Sequence, residues 1–174
     1  MHSNQRSIVL IGFMGTGKSS VGRLLAADYQ WRRYDTDELI SNALGMPIDQ
    51  IFAQHGEERF REEESAMLER LDDKEQSIIV TGGGVVLRPA NLPRLHTLGT
   101  VVCLTANLET LLERLARRTN RPLLQAGDPA ETVPRLLAER ARFYEKAADF
   151  TVDTSALNHA QVAQSIRDHL AVAA

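Results

Sequence analysis

Residues 12–19 combine the backbone and the side chains that bind a nucleoside triphosphate. They fill the pattern G-x-x-x-x-G-K-[ST], which ends in Lys18 and Ser19 and directly follows the apolar run Ser7–Ile11. The glycines let successive backbone N–H groups converge on phosphate oxygens. Lys18 can then reach the β- and γ-phosphates, the Ser19 hydroxyl can contact Mg²⁺, and a helix that starts here directs its positive dipole end at the phosphates. A glycine turn that matched this pattern by chance would not also need a strand before it and a helix after it. We therefore predict nucleotide binding.

A pair of carboxylates follows the next apolar run, Trp31–Tyr34. Asp35 and Asp37 are two residues apart, so in extended chain their side chains point in the same general direction. One acid could orient water on Mg²⁺ while the other accepts the proton of an attacking hydroxyl. The alternative is that Asp35 or Thr36 only caps the following helix, with Glu38 completing a capping box. The P-loop favours the catalytic interpretation, because a kinase needs both functions.

Two arginines are candidates for binding an anionic substrate. Arg61 and Glu64 are three residues apart in a charged segment, so on a helix Glu64 could hold the Arg61 guanidinium in place. Arg140 lies on an apolar helical stripe with Leu136 and Tyr144, and an inward-facing arginine needs an anion. That anion is either an internal carboxylate or a group of the substrate. We predict that the other acids of the charged segment form a solvated helix face: Glu57, Glu58, Glu62 and Glu63.

Glycine and arginine clusters occur at two further positions. The triple glycine 82–84 follows an apolar run and indicates either a tight turn or a backbone that approaches a ligand or adopts positive φ. A basic cluster lies at the start of a segment that has two prolines, a glycine and no helical periodicity. These features indicate a long surface loop or a lid. One of its arginines could stabilise the transferring phosphoryl group. The cluster consists of Arg114, Arg117, Arg118 and Arg121.

Alternation of apolar runs with helical periodicity predicts an α/β fold with a parallel sheet and helices on both faces. In such a sheet ligands bind beyond the carboxyl ends of the strands, where the P-loop, the aspartate pair and the triple glycine all fall. We predict a single domain over residues 1–174. The predicted strands are Ser7–Ile11, Trp31–Tyr34, Ser77–Thr81, Val101–Thr105 and Phe150–Val152. Amphipathic helices are predicted around Leu108–Leu115 and Val133–Ala147.

Composition limits the classes of function. The chain has 174 residues, 43% of them hydrophobic, and a formal net charge of −3, which offers no general attraction to nucleic acid or to an anionic membrane. The single cysteine, Cys103, lies in an apolar run and is predicted to be a buried, inert thiol. The polar N-terminus does not resemble a signal peptide, and no apolar stretch approaches a membrane span. We expect an intracellular protein.

Taken together, these motifs resemble the shikimate kinase family over nearly the whole chain and in the same order. The P-loop, the D-x-D pair, F-R-x-x-E, the triple glycine and R-P-L-L at these separations are typical of that family. The segments that carry the resemblance are residues 12–19, 35–37, 60–64, 82–84, 115–118, 121–124 and Arg140.

The resemblance implies transfer of a phosphoryl group from ATP to the 3-hydroxyl of shikimate, in the pathway to chorismate and the aromatic amino acids. Asp37, Lys18 and Arg121 are the implied catalytic residues, with Asp37 as the base. The implied ATP contacts are Gly15, Thr16, Gly17, Lys18, Ser19, Ser20, Arg114 against the adenine, and the lid residue Arg121. The implied substrate contacts are Asp37, Arg61, Glu64, Gly83 and Arg140. One Mg²⁺ would be held with ATP by Ser19 and Asp35.

The fold implied is a P-loop fold of the nucleoside-monophosphate-kinase type, with five parallel strands, a substrate-binding region near residues 35–64 and a lid near residues 115–129. The resemblance also implies a cytoplasmic monomer whose partners are ATP and shikimate, with no role for nucleic acid or membrane. Two other functions stay open: a kinase of the same fold that acts on another polyol acid such as gluconate, and a catalytically inactive regulator that binds a metabolite. Intact Lys18 and Asp37 argue against the regulator.

Overall fold

The computed structural model describes residues 6–72, 74–117 and 128–173. This part of the chain contains five strands, seven α-helices and one 3₁₀ turn at Val85–Leu87. The strands are β1 (Ser7–Gly12), β2 (Arg32–Asp35), β3 (Ser77–Val80), β4 (Gly99–Thr105) and β5 (Phe150–Asp153). The helices are α1 (Lys18–Tyr29), α2 (Thr36–Leu44), α3 (Ile48–Arg70), α4 (Asn91–Leu98), α5 (Leu108–Ala116), α6 (Pro129–Ala147) and α7 (His159–Ala173).

The five strands form one parallel sheet in the order β2-β3-β1-β4-β5. Every residue of β1 is buried, which explains why its sequence is a continuous apolar run without alternation. All five predicted strands are confirmed, with ends that differ by at most two residues. The largest difference is in β4, which begins at Gly99 and not at Val101, because Gly99 already pairs with Ser7.

Helices cover both faces of the sheet, as predicted. Val9 and Ile11 of β1 point into one apolar core, which they share with α3, α4, α5 and α6. Ile8 and Leu10 point into a second core on the opposite face, against α1 and α7. Cys103 is 1% exposed in the first core, where burial raises the pKa of its thiol to about 11, in line with the predicted inert role.

A third, smaller core joins α2 to α3 and shapes the region near residues 35–64. Ile40, Ile51, Phe60 and Met67 form it, so the two helices pack together away from the centre of the sheet. The backbone of α3 is interrupted at Gly56, whose φ of 79° and ψ of 172° are not helical. Helix α3 therefore has two straight parts that can carry side chains into the same site from different directions.

The topology brings three loops to one edge of the sheet. Strands β2, β3 and β1 are neighbours, so the aspartate pair, the triple glycine and the P-loop that follow them meet at their carboxyl ends. Most of the predicted lid, residues 118–127, lies outside the described residues, together with Arg118 and Arg121. None of the described helices is long and apolar enough to cross a membrane.

Candidate active site

The P-loop is built on backbone geometry that only glycine tolerates at its first position. Gly12 has φ of 138°, and a Cβ there would lie 2.2 Å from the carbonyl oxygen of Leu104 in β4. The loop is therefore pressed against the sheet. Lys18, the first residue of α1, folds over it and donates hydrogen bonds to the carbonyl oxygens of Gly12 (2.7 Å) and Phe13 (3.1 Å). The loop backbone and a cation thus face the same space.

The remaining residues predicted to bind ATP lie along the same loop and the first turn of α1. Gly15 and Gly17 both have positive φ, 85° and 96°. The Thr16 hydroxyl donates to the Phe13 carbonyl oxygen at 2.8 Å and closes the loop. Ser19 and Ser20 follow Lys18 in α1 and are half-buried. The helix N-terminus therefore presents its N–H groups where an anion is favoured.

Asp35 caps α2 with one carboxylate oxygen and keeps the other next to the P-loop. Its Oδ1 accepts from the backbone N–H groups of Asp37 (3.2 Å) and Glu38 (3.5 Å), so it caps α2. Its Oδ2 lies 3.5 Å from the Ser19 hydroxyl and 3.1 Å from Arg33. Glu38 pairs with Arg33, so its carboxylate does not serve the predicted capping box.

The Ser19 hydroxyl and the Asp35 Oδ2 make a set of hard oxygen donors that suits Mg²⁺. The two groups converge next to the P-loop, which is where the phosphates of a nucleotide would supply the other ligands. Among the described residues no group of three or more His, Cys, Asp or Glu side chains could hold a metal by itself. These residues therefore fit an ion that arrives with the nucleotide.

A pocket opens beside the P-loop, between the triple glycine and the helices α2, α3 and α6. Its lining combines apolar side chains with charged groups of both signs, a composition that suits a small polar molecule. The lining residues are Met14, Asp37, Ile48, Phe52, Phe60, Arg61, Glu64, Gly82, Gly83, Gly84 and Arg140. The structure thus brings together all five residues predicted to bind substrate.

Arg61 and Glu64 form the buried ion pair that their spacing predicts. Arg61 Nη1 donates to Glu64 Oε2, and the two residues are only 6% and 1% exposed. The guanidinium also lies over the Phe60 ring, with Cζ 5.3 Å from its centroid. Burial acts to lower the pKa of Arg61, but the carboxylates of Glu64 and Glu57 together outweigh it and raise the pKa above the ordinary value. Arg61 therefore stays a cation.

The triple glycine provides clearance for these charged groups. A Cβ on Gly84 would lie 2.2 Å from the Arg61 guanidinium, and a Cβ on Gly82 would lie 2.4 Å from Glu64 Oε1 and 2.7 Å from Asp37 Oδ1. Neither glycine has positive φ, so close approach of the backbone, and not a left-handed turn, explains this motif. Glycine is required because any side chain would displace the charges.

The carboxylates of Asp37 and Glu64 are close enough to affect each other. Burial raises the pKa of Glu64 to about 7; Arg61 opposes the shift and the charge of Asp37 adds to it. Glu64 Oε1 is buried and has no hydrogen-bond partner among the described residues. An acceptor oxygen in this state is ready for a donor such as the hydroxyl group of a ligand.

Arg140 is buried on the inward face of α6, as predicted, and is 4% exposed. It lies over the Phe13 ring, with Cζ 5.8 Å from the centroid, and beside the Tyr144 hydroxyl. Tyr144 donates to the carbonyl oxygen of Gly83, and burial raises the pKa of its hydroxyl well above the ordinary value. No carboxylate among the described residues forms an ion pair with Arg140. Its cation is therefore available to a ligand.

Arg114, the first arginine of the basic cluster, is half-buried and held by hydrogen bonds. It donates to the Gly15 carbonyl oxygen (3.2 Å) and to both the hydroxyl (2.9 Å) and the carbonyl oxygen (2.8 Å) of Thr154. It therefore joins the P-loop to the loop after β5. Arg117 is exposed and 3.8 Å from Glu113. The predicted lid residue Arg121 lies outside the described residues.

Several residues that contribute to the site could not be recognised from the sequence. Arg33 pairs with Asp35, and nothing in the strand pattern of β2 signals this contact. Ile48 and Phe52 supply the apolar wall from the first part of α3, where periodicity suggests only core packing. Glu57 was predicted to be solvated, but it accepts hydrogen bonds from Arg61 Nε (3.3 Å) and Nη2 (2.9 Å). The predicted exposure of Glu57 is confirmed, since its side chain is 49% exposed, but an exposed carboxylate can still reach a buried partner four residues away. The prediction was wrong for Glu63, whose side chain is only 14% exposed and pairs with Arg59.

The chain is similar to known proteins of one family. A family model described as shikimate kinase matches residues 14–171. The shikimate kinase of Thermodesulfovibrio yellowstonii is 48% identical over 161 residues, which is 92% of each chain. A solved structure of the Acinetobacter baumannii shikimate kinase in complex with shikimate superimposes with a TM-score of 0.92 and is 34% identical, covering 97% of this chain and 94% of that one.

A gluconokinase from Sinorhizobium meliloti superimposes with a TM-score of 0.61 and is 23% identical, covering 97% of this chain and 93% of that one. That likeness shows only the shared fold. The family model, in contrast, begins within the P-loop at residue 14 and spans the aspartate pair, the buried arginines and the triple glycine. The chain therefore belongs to the shikimate kinase family.

Proposed function

We propose that this protein transfers the terminal phosphoryl group of ATP to the 3-hydroxyl of shikimate and that the pocket beside the P-loop binds shikimate. The observation that carries the proposal is the pair of buried arginines, Arg61 and Arg140, which face the same pocket as Asp37. Two cations suit a carboxylate and a carboxylate base suits a hydroxyl, so the pocket matches a hydroxy acid. The products are shikimate 3-phosphate and ADP.

The acceptor would be held at both ends. Arg61 and Arg140 bind its carboxylate, and Asp37, Glu64 and the backbone of Gly83 bind its ring hydroxyls. The unpaired Oε1 of Glu64 supports this assignment, because it offers an acceptor in a buried wall of the pocket. Fixing the ring in this way would place one hydroxyl toward the P-loop.

Asp37 would act as the base. As the 3-hydroxyl oxygen forms its bond to the terminal phosphorus, the hydroxyl proton passes to the Asp37 carboxylate and the bond to the bridging oxygen breaks, which leaves ADP. Lys18 and the N–H groups of the P-loop would stabilise the charge on the phosphoryl oxygens. Contact between the two loops supports this transfer, because a Cβ on Gly83 would lie 3.5 Å from both Gly12 O and Met14 N.

Mg²⁺ would accompany ATP, with Ser19 and Asp35 as its protein contacts, and would neutralise charge on the phosphates. Asp35 is suited to this because its Oδ1 is fixed by capping α2, which directs Oδ2 toward Ser19. Arg114 would lie against the adenine, held by Gly15 and Thr154. The lid near residues 115–129 and its Arg121 would cover the phosphates and exclude water.

We also propose that the protein acts as a monomer in the cytoplasm. The pocket is lined by residues of one chain, so a second copy is not needed to complete the described part of the site. The use of ATP as phosphoryl donor supports the cytoplasm as the compartment.

The acceptor is tested by measuring ADP release from Mg²⁺-ATP by the purified protein. We expect shikimate to raise the rate at least 100-fold over the rate without acceptor, because a bound hydroxyl replaces water as the nucleophile. Gluconate should give no increase, since an open-chain acid does not match a pocket built for a rigid ring. Equal stimulation by the two acids, or by neither, would refute the assignment of shikimate.

Asp37→Asn should lower kcat by about 10²- to 10⁴-fold, because the amide cannot accept the hydroxyl proton. ATP binding should change less than threefold, since Asp37 contacts the acceptor. Glu38→Gln is the matched control: it removes a neighbouring carboxylate of the same helical turn, which is 59% exposed and paired with Arg33. Parallel losses of ATP binding and kcat in Asp37→Asn would indicate a structural role.

Arg140→Ala should weaken shikimate binding by roughly 30- to 150-fold, equivalent to about 2–3 kcal/mol for a lost charged hydrogen bond. ATP binding should be almost unchanged. Arg142→Ala is the control, because this arginine is on the same helix and lies over the Phe143 ring at 4.8 Å, outside the pocket. Calorimetric titration with shikimate measures both. An unchanged affinity in Arg140→Ala would show that Arg140 has no part in binding.

The raised pKa of Glu64 predicts a pH dependence of stability. Its ordinary value is 4.5 and its folded value is about 7, so between these pH values the folded state holds a proton that the unfolded chain has lost. The contribution of Glu64 therefore becomes unfavourable as pH rises through this window and is constant above it. In Glu64→Gln this dependence is absent.

Urea unfolding of wild type and Glu64→Gln from pH 5 to pH 8 measures the effect. Between pH 5 and 7 we expect the free energy of unfolding of wild type to fall by about 1–3 kcal/mol relative to that of Glu64→Gln. Glu62→Gln, an exposed change on the same helix, should show no such trend. If the wild-type and Glu64→Gln curves run parallel, Glu64 is ionised across the whole range.

A further inference from the structure

Glu57 holds one edge of the Arg61 guanidinium. Its Oε1 accepts from Nε at 3.3 Å and from Nη2 at 2.9 Å, while Glu64 accepts from Nη1. The Nε–Nη2 edge offers two parallel N–H groups and is one of the edges with which arginine grips a carboxylate. A carboxylate of the protein itself thus sits where a substrate carboxylate could bind Arg61.

We infer that Glu57 is an internal competitor for the carboxylate of the acceptor, occupying the Nε–Nη2 edge of Arg61 until an anionic substrate displaces it. The inference rests on the proposed function, in which Arg61 binds that carboxylate. It adds a residue that sets substrate affinity and selects for charge, without itself contacting the reacting atoms.

Other groups already fix the orientation of Arg61, so Glu57 is not needed to position it. Glu64 is 1% exposed and fixes Nη1. The rings of Phe60 and Phe52 lie 5.3 and 6.0 Å from the guanidinium carbon, and Gly84 packs directly against the group. Removing Glu57 therefore leaves a guanidinium held on its remaining sides.

Glu57 is also placed to leave. Its side chain is 49% exposed, in contrast to 1% for Glu64, so its carboxylate can exchange Arg61 for water at low cost. It directly follows the non-helical Gly56 and borders an open groove along α6. There is consequently room for the side chain to turn away while Arg61 and Glu64 stay in place.

The charge balance of the site favours this exchange. Three carboxyl groups, on Asp37, Glu57 and Glu64, lie near two guanidinium groups, on Arg61 and Arg140. An anionic substrate adds a further negative charge if none leaves. If Glu57 turns away as the substrate binds, the net charge around Arg61 stays the same. A neutral acceptor gains no attraction from Arg61 and therefore cannot displace Glu57. Competition of this kind discriminates against uncharged acceptors.

Glu57→Gln tests the inference, because the amide keeps the size and one acceptor oxygen but loses the charge. We expect the Kd for shikimate, measured by calorimetry on the full chain, to fall about two- to fivefold, the range for a half-exposed ion pair. The Kd for shikimate methyl ester and for ATP should stay within experimental error. An unchanged urea midpoint of unfolding would show that the variant is folded.

Glu58→Gln is the matched control. It removes the same charge from the adjacent residue, which is 82% exposed and pairs with Arg88, not with Arg61. We expect its affinity for shikimate to match wild type. An equal gain of affinity in Glu58→Gln would overturn the inference, because it would reflect the general field of the helix and not competition at Arg61.

Two results separate this inference from the proposed function. If wild type prefers shikimate to its ester but Glu57→Gln binds shikimate as weakly as wild type or more weakly, the proposed function stands and Glu57 is an orienting partner of Arg61, so the inference is wrong. If wild type binds shikimate and its methyl ester equally, the assignment of Arg61 to the carboxylate fails, and the inference fails with it.

Discussion

The buried ion pair between Arg61 and Glu64 constrains the whole acceptor side of this protein. Removing two charges from water costs several kcal/mol for each, and their attraction offsets that cost only when the geometry is good and the remaining donors and acceptors are used. The fold supplies the geometry with an aromatic ring against the guanidinium and with glycine at residues 82 and 84, where a Cβ would collide with the pair. One acceptor, Glu64 Oε1, has no hydrogen-bond partner among the described residues. Apolar residues of similar size would hold α3 in place more cheaply, which indicates that the pair is retained for its chemistry.

The nucleotide side of the site is formed mainly by the backbone of the P-loop. Gly12 is pressed against β4, and Lys18 closes over two carbonyl oxygens of its own loop. These contacts belong to the central strands and to the helix that follows, so the phosphate cradle has the rigidity of the sheet. The two sides meet at Gly83, where a Cβ would lie 3.5 Å from the P-loop atoms Gly12 O and Met14 N.

Features set by local spacing could be predicted from the sequence. The central strands β1, β3 and β4 follow from buried apolar runs, the Arg61–Glu64 pair from a separation of three residues on a helix, and the inward position of Arg140 from its place on an apolar stripe. Contacts that depend on the tertiary fold could not. Arg114 binds Thr154, 40 residues away, across two elements that no local pattern relates.

Two residues have more than the one role that local pattern suggests. The charged segment around Glu57 indicates a solvated face, and the residue is exposed, yet its carboxylate also accepts hydrogen bonds from the Arg61 guanidinium. Asp35 was weighed as either a helix cap or a catalytic carboxylate, although a carboxylate has two oxygens. One oxygen caps α2 and the other lies near Ser19, so the two roles are compatible.

That division of Asp35 has a thermodynamic consequence. The Oδ1 atom fixes the backbone of the helical turn that carries Asp37, while Oδ2 lies on the nucleotide side of the site. A group that binds one of these oxygens changes the strength of the hydrogen bonds that the other oxygen accepts. Under the proposed function the two substrates would be linked through a single side chain, and linkage is reciprocal: the factor by which one substrate changes the affinity of the other equals the factor by which its own affinity is changed.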